Sequence, residues 1–186
     1  MRKLILITGD LATGKSTFGR ILAKRYGCTM LCKDKIKELL AETVGFSSRE
    51  ENRRLSVAAV EAMIHCFSEI TESSSDLILE ANFRGDEMKK LYYLANESGY
   101  DMLTLCLSAD IEIIYRRFVN RIENENRHPA HICSFDGYDS FVSAINLLRN
   151  EERFGKIIDI SADDFGYQTD KYLLEKIDRF MEYENN

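Results

Sequence analysis

The sequence lacks a paired-cysteine motif, a long hydrophobic run and an excess of positive charge. The five cysteines are odd in number and include no C-x-x-C pair, which favours reduced thiols in a cytoplasmic protein over a disulfide framework. They are Cys28, Cys32, Cys66, Cys106 and Cys133. The first apolar stretch ends at Thr8, too early for a signal core or a membrane span. The net charge of −6 does not favour nucleic-acid binding, although it leaves a local basic groove possible.

Linkers, repeats and several catalytic motifs are also missing. No long Gly-, Ser- or Pro-rich stretch divides the chain, so we expect residues 1–186 to form a single domain. The patterns G-x-S-x-G, H-E-x-x-H and G-x-G-x-x-G do not occur. The sequence therefore gives no support to a nucleophile-elbow hydrolase, a zinc protease or a dinucleotide-binding enzyme.

One phosphate-binding pattern is present. Residues 9–16 fit G-x-x-x-x-G-K-[ST], after the apolar run 4–7 and before a helical pattern. Glycine lets such a loop aim several backbone N–H groups at one anion, Lys15 adds a charge at the outer phosphates, and the Ser16 hydroxyl can bind Mg²⁺. The predicted nucleotide-binding residues of this loop are Gly9, Asp10, Leu11, Ala12, Thr13, Gly14, Lys15, Ser16 and Thr17.

Apolar runs alternate with helical patterns along the chain, which is typical of an α/β fold with a parallel sheet covered on both faces. Strands are predicted at 3–8, 29–33, 76–82, 102–108 and 156–160. Helices are predicted at 15–26, 35–43, 49–73, 87–98, 111–123, 138–152 and 170–183. Because ligands of such folds bind at the carboxyl ends of the strands, the polar residues there are the candidates for chemistry.

Two polar residues follow the second predicted strand. Asp34 could be a general base that accepts the proton of an attacking hydroxyl, or an ordinary helix N-cap with Glu38 in a capping arrangement. Lys37, one turn later, could hold an anionic group of an acceptor, or could be a solvated helix lysine.

The third predicted strand ends abruptly in polar residues. Glu80 lies where a carboxylate could hold Mg²⁺ together with Ser16, although pairing with Lys15 or helix capping is the alternative. Asn82 could orient the acceptor, and Arg84 could contribute to a local basic groove that binds it.

Arginines follow the fourth predicted strand. Arg117 and Arg121 are four residues apart and share a helix face, so Arg121 could close over the γ-phosphate of a nucleotide. A solvated basic face that pairs with nearby glutamates is the alternative. The polar segment at about 121–137, which contains the only proline, is predicted to be a lid.

These segments together resemble the small P-loop kinases of the AAA-type ATPase-like group, which includes phage-type polynucleotide kinase, chloramphenicol phosphotransferase and the zeta-toxin kinases. The resemblance rests on the phosphate loop, on 32–37, on 79–83 and on the helix that starts near Asp110. It implies a three-layer fold with strand order 2-3-1-4-5, Asp34 as the base, Arg121 on the donor phosphates and Arg117 on the nucleotide side. Glu80 departs from the group, in which an aspartate is usual.

The resulting expectation is a kinase that uses ATP and Mg²⁺ to phosphorylate a hydroxyl of a small molecule or of a nucleic-acid end. One alternative is a nucleotide-hydrolysing switch that acts through a protein partner. Another is a nucleoside monophosphate kinase, which Lys37, Arg53 and Arg54 would suit because it must hold an acceptor phosphate.

Overall fold

A parallel sheet of five strands lies at the centre of the structure, a computed structural model that describes residues 1–71, 75–131 and 135–182. The strands are β1 (Arg2–Gly9), β2 (Thr29–Cys32), β3 (Leu77–Glu80), β4 (Tyr100–Ser108) and β5 (Lys156–Ser161). Their order is β2-β3-β1-β4-β5, as the resemblance implied. β1 is the middle strand, and its continuous apolar run fits a strand buried on both faces.

Helices cover both faces of this sheet. They are α1 (Lys15–Tyr26), α2 (Lys33–Val44), α3 (Arg49–Ile70), α4 (Gly85–Glu97), α5 (Ile111–Asn124), α6 (Gly137–Arg149) and α7 (Lys171–Met181), with 3₁₀ turns at Pro129–His131 and Gly166–Thr169. The core on one face contains Ile5 and Ile7 of β1 with residues of α1, α5, α6 and α7. The core on the other face contains Leu4 and Leu6 with residues of α3 and α4. The three-layer α/β/α prediction is therefore confirmed.

The strand register brings the predicted site residues to one edge of the sheet. Ile7 of β1 pairs with Glu80 of β3, and Cys32 of β2 pairs with Glu80 from the other side. The phosphate loop begins at Gly9, two residues after Ile7 on β1, where Gly9 is opposite Leu107 of β4. The ends of four strands thus surround the loop.

One local prediction is wrong at the start of α2. The chain passes from β2 directly into the helix, so Cys32 is the N-cap and Asp34 lies inside the first turn, with no side-chain cap bond. The N-cap interpretation of Asp34 does not hold. Its carboxylate is left to make other contacts.

Some predictions reach beyond the described residues. The predicted helices 49–73 and 170–183, the predicted lid at 121–137 and Cys133 fall wholly or partly on residues 72–74, 132–134 or 183–186, outside the described ranges. In the part that is described, Cys28, Cys32, Cys66 and Cys106 are free thiols. No helix there has the length and apolarity needed to cross a membrane.

Candidate active site

The phosphate loop needs glycine at both of its fixed glycine positions. Gly9 has a φ of +116°, and a Cβ at this position would lie 2.0 Å from the Leu107 carbonyl oxygen. Gly14 has a φ of +85° and is the N-cap of α1. These values explain why the loop can turn sharply from β1 into α1, so that Thr17 already lies in the first turn of the helix.

Two carbonyl groups of the loop accept hydrogen bonds, one from within the loop and one from outside it. Thr13 Oγ1 donates to the Asp10 carbonyl at 2.8 Å, and the Tyr167 hydroxyl donates to the Thr13 carbonyl at 2.7 Å. Across the described ranges, the N–H groups of residues 11–16 meet no acceptor within the protein. They form a cradle of donors at the N-terminus of α1, which suits the phosphates of a nucleotide.

Lys15 connects the loop electrostatically to three other elements. Its side chain is buried, and Nζ donates to the carbonyl oxygens of Gly9, at 3.1 Å, and Asp10. Burial lowers the pKa of Lys15, whereas the carboxylates of Glu80 and Asp34 oppose this effect and Arg121 adds to it. These three side chains, predicted as metal ligand, base and phosphate-binding arginine, therefore all influence the pKa of Lys15.

Ser16 and Glu80, the two predicted metal ligands, are hydrogen-bonded to each other. Ser16 Oγ donates to Glu80 Oε2 at 3.0 Å, and the Cys32 thiol donates to the same oxygen at 2.9 Å. Glu80 is only 5% exposed, and within the described ranges no cationic nitrogen lies within ion-pair distance of it. A buried carboxylate with only neutral donors fits a site for a hard cation such as Mg²⁺, with hydroxyl and carboxylate oxygens as ligands.

Asp34 lies at the start of α2, between this loop and the turn at Pro129–His131. Lys33 Nζ lies 3.2 Å from its Oδ1, and His131 Nδ1 lies 3.9 Å from the same oxygen. Burial raises the pKa of the Asp34 carboxyl, but Lys33 and His131 outweigh it, and the net pKa lies below its ordinary value. Asp34 is therefore ionised at neutral pH, as a general base must be.

Arg117 and Arg121 have different surroundings. Arg117 donates to the carbonyls of Ala162 and Asp163, both at 2.7 Å, and its guanidinium lies 4.4 Å from the centre of the Phe165 ring. Phe165 borders Gly14, so this cation–aromatic surface adjoins the phosphate loop. Arg121 is partly exposed and pairs with Glu125 at 3.2 Å.

Three predicted binding residues point to other partners. Lys37 is buried, and its Nζ donates to the Ala130 carbonyl at 2.6 Å, so it is neither a solvated lysine nor aimed at an open acceptor site. Arg84 pairs with Glu151 at 2.9 Å. The Asp10 carboxylate is bound by Arg149 at 2.7 Å, so only its backbone remains for a nucleotide. Asn82 lies half-buried just after β3, at the predicted edge.

Sequence reasoning missed three contributors to the site. Arg149 of α6 binds Asp10 and the Ala109 carbonyl, Tyr167 supports the loop, and His131 contacts Asp34. Phe165-Gly166-Tyr167 follows β5, and an inspection of every strand end would have included it. His131 and Arg149 carry no comparable local signal.

Comparisons with known proteins agree with this geometry. The sequence profile of the AAA domain family matches residues 5–134. A structure from Chloroflexus aurantiacus, solved as that of a candidate kinase, is 27% identical with a TM-score of 0.80, and 97% of this chain and 98% of that chain are covered. The APS kinase of Mycobacterium tuberculosis gives a TM-score of 0.61 at 16% identity, with 96% and 97% covered. A gluconokinase of Sinorhizobium meliloti also gives 0.61, at 14% identity, with 98% and 96% covered.

Comparison with curated protein sequences gives no match. The profile and the structural likenesses nevertheless confirm the resemblance to small P-loop kinases and the predicted fold. They support a phosphotransferase that binds a nucleotide.

Proposed function

We propose that this chain, which belongs to the AAA domain family, is a cytoplasmic kinase that transfers the γ-phosphoryl group of ATP to a hydroxyl group of a small molecule. In this proposal residues 1–186 act as one kinase domain, and Mg²⁺ accompanies the nucleotide. The observation that carries the proposal is the 3.0 Å hydrogen bond between Ser16 Oγ of the phosphate loop and the buried carboxylate of Glu80, beside the N–H groups of residues 11–16, which meet no acceptor in the described part of the chain. Phosphoryl transfer requires a phosphate-binding loop, a carboxylate that can bind a metal ion, an ionised base and a cation near the transferred group.

Each residue has a role that its surroundings suit. The N–H groups of residues 11–16 and Lys15 hold the phosphates, and Arg121 stabilises the charge that spreads over the transferring group. Ser16 and Glu80 would hold Mg²⁺, which when bound neutralises charge on the β- and γ-phosphates. Arg117 and Phe165 lie on the side of the loop that the base of the nucleotide would use.

Asp34 would accept the proton of the acceptor. As the acceptor oxygen forms a bond to the γ-phosphorus, its hydroxyl proton passes to the Asp34 carboxylate. The bond between the γ-phosphorus and the bridging oxygen breaks, and ADP leaves with the electron pair. Positioning and charge stabilisation supply most of the acceleration in such a reaction.

Two observations favour an uncharged acceptor over a nucleoside monophosphate. Of the three residues that could have bound an acceptor phosphate, Lys37 is engaged by the Ala130 carbonyl and Arg54 by Glu50. Asp34 adds negative charge on this side of the site. A neutral hydroxylated molecule would avoid repulsion by that carboxylate.

The test measures transfer of label from γ-labelled ATP with Mg²⁺ to sugars, nucleosides, nucleoside monophosphates, hydroxylated antibiotics and oligonucleotides. We expect transfer to an uncharged small molecule, and we expect Asp34→Asn to lower its rate about 100-fold or more while nucleotide affinity changes little. Asp139→Asn, at an exposed carboxylate in the first turn of α6, is the matched control. If Asp34→Asn transferred the label at the full rate, Asp34 would not be the general base. ATP hydrolysis without transfer to any acceptor would favour the alternative function, a nucleotide-hydrolysing switch that acts through a protein partner.

A further inference from the structure

The hydroxyl of Tyr167 contacts the phosphate loop at one peptide group. It donates to the Thr13 carbonyl at 2.7 Å, and both residues are buried. Within the described ranges, no backbone N–H donates to that carbonyl, since the helical bonds of α1 begin with Phe18 N–H and the Gly14 carbonyl. The hydroxyl therefore determines where the Thr13 carbonyl points.

The same bond determines the direction of the Gly14 N–H. The peptide between Thr13 and Gly14 is trans and planar, so its carbonyl and its N–H point in opposite directions. Because the carbonyl points to Tyr167, the N–H of Gly14 points away from it and joins the cradle of donors at the start of α1. In the described part of the chain this N–H meets no acceptor, which leaves it for a phosphate oxygen.

The backbone of the loop does not enforce this orientation by itself. Gly14 has a φ of +85° and a ψ of +16°, close to the third residue of a type II turn at about +80° and 0°. Rotation of the preceding peptide by about half a turn gives a type I turn, with φ near −90°, which glycine adopts as readily. In that form the N–H would leave the cradle, and the Thr13 carbonyl oxygen would face the negative phosphates.

Tyr167 is itself held in place. Its ring packs edge-on against Phe18 of α1, with ring centres 5.2 Å apart, and Gln168 Nε2 donates to its hydroxyl oxygen at 3.3 Å. That oxygen accepts one bond and directs its proton to Thr13. Burial raises the pKa of Tyr167, so the hydroxyl remains a donor at neutral pH. A Cβ on Gly14 would lie 2.9 Å from the hydroxyl oxygen, so glycine also leaves room for this contact.

We propose that Tyr167 is a positioning residue for nucleotide binding: its hydroxyl holds the peptide between Thr13 and Gly14 in the orientation that presents the Gly14 N–H to a phosphate oxygen. The inference rests on the nucleotide-binding part of the proposed function and does not depend on the acceptor. It gives the turn at Gly166–Thr169 a role in phosphate binding.

Calorimetric titration with Mg²⁺-ADP tests the proposal without any phosphoryl transfer. Tyr167→Phe keeps the ring against Phe18 and removes only the hydroxyl. Part of the unliganded protein then has the rotated peptide, and the apparent Kd rises as the competent fraction falls. We expect the Kd for ADP to increase about tenfold.

Tyr100→Phe is the matched control. The buried Tyr100 hydroxyl also donates to a backbone carbonyl, that of Ser75, at 3.0 Å, but it lies at the end of β4 remote from the loop. This variant should lose about as much stability in urea as Tyr167→Phe, because each loses one buried hydrogen bond. Its Kd for ADP should equal that of the parent protein.

NMR of isotope-labelled protein distinguishes a rotated peptide from a general loosening of the fold. Without ligand, the amide signal of Gly14 should be shifted or broadened by exchange in Tyr167→Phe, whereas that of Gly99, beside the control tyrosine, should not change. Saturating Mg²⁺-ADP should return the Gly14 signal to its position in the ADP-bound parent protein, because the phosphates select the same orientation. A merely structural residue would not produce this recovery.

The outcomes separate this proposal from the proposed function. If the parent protein binds Mg²⁺-ADP and Tyr167→Phe binds it equally well, the positioning role is wrong. The same follows if Tyr100→Phe weakens binding as much, or if the Gly14 signal does not respond to the loss of the hydroxyl. If the parent protein binds no nucleotide, the proposed function fails and the positioning role fails with it.

Discussion

Glu80 is buried at the end of β3, and its two donors in the described part of the chain, the Ser16 hydroxyl and the Cys32 thiol, are neutral. A carboxylate in this setting costs free energy in the unliganded protein. We therefore expect Glu80→Gln to lower Mg²⁺-dependent phosphorylation about 100-fold. Its free energy of unfolding without metal should change little, because removal of the buried carboxylate also removes an attraction for the buried Lys15 ammonium.

The measurements are a Mg²⁺ titration of the transfer rate and urea unfolding in the absence of divalent ions. Glu80→Asp is the control, because it keeps the carboxylate and restores the residue usual in the kinases that the chain resembles. It should retain most of the activity at saturating Mg²⁺. A Glu80→Gln variant that lost stability and activity together would identify Glu80 as a structural residue.

Single residues were predictable where the signal is local. The phosphate loop fixes the residue at four positions of one pattern, and Asp34 and Glu80 stand out as carboxylates just after apolar runs. His131 and Arg149 could not be found in this way. Their partners Glu38 and Asp10 lie 93 and 139 positions away in the sequence, and only the folded chain brings them together.

At the scale of elements, α6 supports the phosphate loop through an ion pair between the partly exposed Arg149 and a buried carboxylate. Arg149 binds the Asp10 carboxylate, which is 1% exposed, and the Ala109 carbonyl after β4. Arg149→Leu would leave a buried charge without its cation, so we expect it to lower the free energy of unfolding by about 3–5 kcal/mol. Urea unfolding measures this loss.

Two further variants show whether the charge is the cause. Asp10→Asn combined with Arg149→Leu removes both charges and should recover most of the lost stability. Arg153→Leu removes an arginine whose partner, Asp159, is 70% exposed, and should cost about 0.5 kcal/mol or less. If Arg149→Leu and the double variant lost the same free energy of unfolding, the loss would come from packing and not from the unpaired charge.

The periodicity of apolar residues predicted which strands and helices exist, but it did not predict where most of them begin and end. All five predicted strands and seven predicted helices exist, and α1 has the predicted bounds. The turns at Pro129–His131 and Gly166–Thr169 were missed because a 3₁₀ turn is too short to show a period. The start of α2 was misplaced because the helix follows β2 without a connecting loop.

At the scale of the molecule, one sheet joins two apolar layers and the site. Leu4 and Leu6 of β1 belong to one core, Ile5 and Ile7 to the other, and the phosphate loop continues from the same strand. The strand order came from the resemblance, because the alternation of strands and helices does not determine which strands are neighbours. The loop is further bound by Arg149 and Tyr167, from two other parts of the chain.

This construction predicts that nucleotide binding stabilises the chain as one unit. Since the loop begins at the strand that both cores share, calorimetry should show one unfolding transition, and Mg²⁺-ADP at 100 times its Kd should raise the unfolding free energy by about 2.7 kcal/mol. Lys15→Met should keep the single transition and lose most of that increase, because the phosphates lose their buried ammonium partner. Two transitions, of which the nucleotide moves only one, would contradict both the single domain and the role of β1 in joining its layers.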